Sequence, residues 1–100
     1  MDTLQVVAEP RRRQILGLVW DREMAASDIA DQFEVTFGAV SQHLAVLRDA
    51  GLVTVRKDGN RRMYKANQEA LAPYSEILGS MWRDTLQHLA ETIETEEPTQ

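Results

Sequence analysis

The stretch from Thr36 to Ala66 constrains the fold most, because it carries a start signal, a period and a stop signal in a row. Thr36 is a good N-cap, and Val40, Leu44 and Leu47 then repeat at i, i+4 and i+7, the apolar stripe of a helix running to Ala50. Gly51 can take the left-handed conformation that closes such a helix, and Leu52 can pack back on Leu47 in a Schellman arrangement. Leu52 to Lys57 is rich in β-branched residues and predicts a strand. Asp58-Gly59-Asn60 is a tight-turn signal, and Arg61 to Ala66 continues as the partner strand. A capped helix that stops and leads at once into a basic hairpin leaves few architectures open.

Upstream, a short helix is expected from Asp2 to Ala8, ending at Glu9-Pro10 because the residue before proline avoids the α region. Pro10 suits the first turn of a second helix reaching Trp20-Asp21, whose Ile15, Leu16, Leu18 and Val19 form a broad core stripe. Ala26 to Phe33 reads as a third, two-turn helix, starting near Ala25 or Ser27, with Ala26, Ile29, Ala30 and Phe33 at helical spacing. This helix, a short turn and the Thr36 helix fit the helix-turn-helix plan, in which the second helix enters the DNA major groove. With the hairpin added, the expected fold is mainly α with a small β-hairpin wing, a winged helix-turn-helix. One domain is expected over residues 1–95, with a frayed tail at 96–100.

From Glu69 to Thr95 the spacing predicts one long helix bearing Leu71, Tyr74, Ile77, Leu78, Met81, Trp82, Leu86, Leu89 and Ile93, with Pro73 tolerated in its first turn or so. That apolar coverage is wider than one small core can bury, so part of it needs a second surface. Dimerisation through part of this last helix follows, with Tyr74, Met81, Trp82 and Leu89 as candidate contacts. The other reading is that the helix only wraps its own domain.

The formal net charge of −5 argues against a nucleic-acid partner until its distribution is considered. Residues 41–65 hold six basic and two acidic side chains, whereas 66–100 hold one and seven. Arg56, Lys57, Arg61, Arg62 and Lys65 form a local footprint able to neutralise phosphates, or else a solvated basic hairpin. With Val40, Leu44 and Leu47 inward, the helix start presents Gly38, Ala39, Ser41, Gln42 and Ala45. Gln42 can pair bidentately with adenine, Ser41 can serve a base or phosphate, and Ala39 can touch a thymine methyl. Thr36 and Phe37 belong to the same leading turn. Gly38 is read either as allowing close backbone approach or as a tolerated small residue, and His43 as a phosphate contact or a structural side chain.

The chain has no cysteine, hence no disulfide, thiolate metal site or cysteine nucleophile. No Gly-x-Ser-x-Gly elbow, phosphate-cradling glycine loop or His-Glu-x-x-His pair occurs, so an enzyme is not expected. No secretory signal is visible at the amino terminus and no apolar run approaches the ~20 residues needed to span a bilayer, so a cytoplasmic location is expected. The competing class is a winged-helix protein-interaction module without DNA binding.

Three stretches, Glu9 to Leu16, Val40 to Val53 with its Ser41-Gln42-His43-Leu44 core, and Gly59 to Lys65, resemble the ArsR family of bacterial winged-helix repressors in order and spacing. The resemblance implies a homodimer built from the first and last helices, which adds Leu4, Val7, Leu71 and Leu78 to the candidate contacts, a palindromic double-stranded DNA operator and release by an inducer, here an unidentified small molecule. It also marks departures. Ala25 and Ser27 stand where arsenic-sensing members carry a Cys-x-Cys pair. His88-x-x-Glu91 matches half of a zinc-sensing pattern whose other half is replaced by Ser75 and Ile77, so no metal or other cofactor is expected. Phe37-Gly38 replaces a frequent Gln-Pro, which removes hydrogen-bonding readout at position 37 and suggests apolar contact or core packing.

Overall fold

The computed structural model describes residues 1–83. Helices α1 (Thr3–Ala8) and α2 (Pro10–Leu18) lead into strand β1 (Met24–Ala25), followed by α3 (Ala26–Ala30), α4 (Phe37–Asp49), the hairpin β2 (Val53–Asp58) and β3 (Arg61–Ala66), and α5 (Gln68–Leu71). A 3-10 turn, Ala72–Tyr74, then precedes α6, helical over residues 75–83. Val6, Ile15, Leu16, Val19, Ile29, Val40, Leu44, Leu47, Leu52 and Leu71 form one buried cluster between these layers. Burying each such side chain is worth about 1.5–3 kcal/mol.

Local chemistry explains most boundaries. Asp2 and Gln5 form a capping box at the start of α1. Pro10 has no N–H to continue that helix, so α1 stops at Ala8 and α2 begins with proline in its first turn and Glu9 as N-cap. Thr36 Oγ1 accepts from the Ala39 N–H at 3.1 Å, as expected of an N-cap. At the other end of α4, Gly51 adopts φ 77° and donates to Arg48 O, while Leu52 donates to Leu47 O, both at 2.9 Å. Those two bonds are the Schellman pair, and they launch β2 at a fixed angle from α4. In the hairpin Asp58 pairs with Arg61, and Gly59 alone has positive φ (63°), the pattern of a type II′ turn.

Four expectations need correction. The wing belongs to a three-stranded antiparallel sheet, order β1-β3-β2, in which Met24 pairs with Tyr64 and Ala25 with Met63. A two-residue strand has no readable period, so its pairing is set by β3. The third helix ends at Ala30, not Phe33, because Gln32 and Phe33 donate three residues back, to Ile29 and Ala30, and tighten the chain out of the helix. The second helix ends at Leu18, short of Trp20-Asp21. The helix expected from Glu69 is broken over Ala72–Tyr74, since Pro73 neither donates nor leaves room for the carbonyl four residues back. Leu86, Leu89, Ile93, the His88-x-x-Glu91 pair and the tail at 96–100 lie outside the described residues.

The proposed dimer contacts divide as sharply. Val7, Leu71 and Leu78 are fully buried in the chain's own core and have no surface left to offer a second copy. Trp82 is half-buried on its own α2: its indole N–H donates to Arg13 O at 3.0 Å and its ring meets Trp20 edge-on at 5.4 Å. A Cβ at Gly17 would lie 3.9 Å from the indole, an ordinary contact distance, so the Trp82 packing does not require glycine there. Tyr74 and Met81 are half-buried, while Leu4 remains exposed.

Candidate nucleic-acid interface

The α4 helix turns its buried stripe of Val40, Leu44 and Leu47 inward, which leaves Gly38, Ser41 and Gln42 exposed along the opposite side of its first turns. Ala39 and Ala45 are half-buried on the flanks. No positive φ and no clash demands glycine at position 38, where a Cβ would meet only Thr36 Oγ1 at 3.9 Å. Phe37 is 53% exposed, so it does not pack in the core. His43 faces back into the protein, its Nδ1 3.8 Å from Glu9 Oε2, the carboxylate that caps α2.

A cleft of about 370 Å³ separates the start of α4 from the tip of the wing, lined by Ser27, Phe37 and Ser41 on one side and Asn60, Arg61, Arg62 and Tyr64 on the other. The fold thus brings Phe37, Ser41, Arg61 and Arg62 together across a gap of 20 or more positions in sequence. Ser27, Asn60 and Tyr64 were not among the expected site residues. Asn60 has a legible signal, its place in the wing turn just before Arg61 and Arg62, whereas Ser27 and Tyr64 join only because β1 pairs with β3.

The wing cations are not equivalent. Arg56 is clamped by Glu23 in a forked pair, with Nε 2.9 Å from Oε2 and NH2 2.7 Å from Oε1. Those hydrogen bonds hold the Glu23 carboxyl below the usual carboxylate range, with the Arg56 charge and the nearby Lys65 charge adding to the effect, and they raise the Arg56 guanidinium in turn. Arg61 likewise meets Asp28 at 2.7 Å. Lys57 and Arg62 sit directly opposite each other across the β2–β3 ladder, and neither has an ion-pair partner among the described residues. Like charges placed opposite each other cost about 0.2–1 kcal/mol, so the isolated chain carries an uncompensated positive spot at the wing tip.

An outward-facing capped helix beside a basic wing defines a winged helix-turn-helix DNA-binding protein. Residues 9–55 match the model of the bacterial regulatory proteins of the arsR family. The chain is 40% identical over 68 residues to the arsenical resistance operon repressor of Staphylococcus xylosus (68% of this chain, 65% of that protein). It is 33% identical over 79 residues to the transcriptional activator HlyU of Vibrio cholerae (79% of this chain, 73% of that protein). Among solved structures, one described as a possible transcriptional regulator for arsenical resistance superposes with a TM-score of 0.71 at 40% identity, covering 92% of this chain and 96% of that one. The homodimeric winged helix-turn-helix domain of Mb0332 from Mycobacterium bovis gives 0.68 at 30% identity, covering 84% and 78%. The chain belongs to the arsR family: it is a DNA-binding regulator of transcription, not an enzyme.

No helix among the described residues is long and apolar enough to cross a membrane. Among those residues no group of three metal-ligating His, Cys, Asp or Glu side chains occurs.

Proposed function

We propose that the protein represses transcription by binding a palindromic operator as a homodimer, each subunit laying α4 into a major groove and the β2–β3 wing along the backbone or minor groove. The observation that carries this reading is the opposed Lys57–Arg62 pair, a charge cost borne by the free chain that two phosphates would relieve. Gln42, exposed nearly two turns beyond the cap, reads a base, and Gly38 lets the backbone approach it. Exposed Leu4 on α1 and Ile77 on α6, 49% and 42% accessible, support a second copy as the partner, as does the homodimeric mycobacterial relative. Release falls to an inducer not held by thiolates, since the chain has none.

Selection of binding sites from random duplex DNA tests this. The expected product is a palindrome with half-sites ~10 base pairs apart or a multiple of that. Gln42→Ala should erase preference at one base per half-site, about 1–3 kcal/mol, without uniform loss on all sequences. No enrichment at low salt would sink the reading in favour of a protein-binding module. A monomer by light scattering at micromolar concentration would remove the homodimer.

A further inference from the structure

Of the large apolar side chains exposed among the described residues, Met1, Leu4, Phe37, Val55 and Ile77, only Phe37 lines the cleft between α4 and the wing. Its ring stacks on no other described aromatic or cation: Trp20 pairs with Trp82, and Arg11 covers Phe33. The rest of the leading turn offers little to a base edge. Thr36 turns its oxygen back to the Ala39 N–H, Gly38 has no side chain, and Ala39, expected to touch a thymine methyl, is half-buried on the helix flank. A base met ahead of Ser41 therefore meets the phenyl ring. The same cleft is lined by Ser41, Asn60 and Arg62, the last without an ion-pair partner among the described residues, a set suited to a phosphodiester.

A ligand that satisfies both surfaces must be anionic at one side and apolar at the other. On the major-groove edges of B-DNA the apolar group is the thymine C5-methyl. We propose that Phe37 is a specificity-determining residue that selects thymine at one position of each half-site by covering that methyl group. The inference rests on the DNA-binding reading above, and it assigns base selection to a side chain with no hydrogen-bonding capacity.

The test uses the full chain and the duplex obtained by selection, with each thymine replaced in turn by deoxyuridine, which lacks only the methyl group. For the wild-type protein one replacement per half-site should weaken binding about fourfold, the worth of one buried methyl-sized group. Phe37→Ala should bind thymine and uracil duplexes equally while keeping its dependence on Gln42, and Phe37→Leu should restore part of the difference. Unchanged thymine preference in Phe37→Ala, or no thymine whose methyl matters, overturns the proposal while leaving the DNA-binding reading intact. A change in oligomeric state in place of base preference overturns it too, by making Phe37 a protein contact. Failure of the wild type to retain any duplex overturns both.

Discussion

Two basic runs look alike in the sequence and end in opposite roles. Arg11-Arg12-Arg13 opens α2, and Arg56 to Lys65 builds the wing. The first run is consumed by the fold. Pro10 leaves the end of α1 without backbone donors, and two arginines from the next helix replace them. Arg12 donates to Val6 O at 2.7 Å and to Gln5 O at 3.5 Å, and Arg13 to Val7 O at 2.9 Å and Ala8 O at 2.8 Å. Arg11 lies 4.7 Å from the centre of the Phe33 ring. In the wing, Arg56 and Arg61 have carboxylate partners while Lys57 and Arg62 have none among the described residues. A positive charge in a sequence is thus available to a partner only where the fold has not already found a use for it.

The largest effect that would break this contrast is on stability. Replacing Arg12 and Arg13 together by Ala should cost about 3 kcal/mol, the low end for two side chains making charge-assisted hydrogen bonds. Urea unfolding reads the loss, and the salt dependence of DNA binding should stay unchanged. A shallower salt slope with unchanged stability would mean these arginines meet phosphate instead.

Arg62→Ala should do the reverse. Stability should move by less than about 0.5 kcal/mol, because the side chain is exposed and its removal relieves the opposed Lys57 charge. Affinity should fall on every sequence, and the slope of log K against log salt should become shallower by about one phosphate's worth. Loss confined to one sequence would make Arg62 a base reader.

The smallest effect sharpens the comparison within the wing. Glu23→Gln frees Arg56, so binding to all duplexes should strengthen modestly and the salt slope should steepen, as electrophoretic mobility shifts across a salt series would reveal. An unchanged slope would mean that Arg56 points away from DNA even when released. The same pair has a pH signature. The Glu23 carboxyl is held below its ordinary value in the folded chain, so its contribution to stability is complete above about pH 4.3 and is lost as pH falls through the lowered value. The Glu23 and Arg56 side-chain NMR signals should therefore stay coupled down to that range and separate below it.

The elements with local signals were legible. Thr36 as cap, Gly51 and Leu52 as stop, Pro10 in a first turn and glycine in the wing turn each depend on residues within a few positions of one another. The exposed pair Ser41 and Gln42 followed from the period of Val40, Leu44 and Leu47. What escaped reading was non-local. Arg56 and Glu23 are 33 positions apart, as are Arg61 and Asp28, so no window of sequence shows that two of the five wing cations are neutralised. Val7, Leu71 and Leu78 look the same as surface contacts in a helical period, and only packing shows them filling their own core.

The amino-acid order alone determined where α4 begins and ends, which of its faces is polar, and that a basic hairpin follows it, because caps, glycine conformations and periodicity act over one or two turns. Tertiary structure decided which arginines have a carboxylate partner among the described residues, that His43 faces Glu9, and that Phe37 stands in a cleft opposite Arg62. Those outcomes depend on distances between side chains far apart in the chain, which are set only once the core has closed.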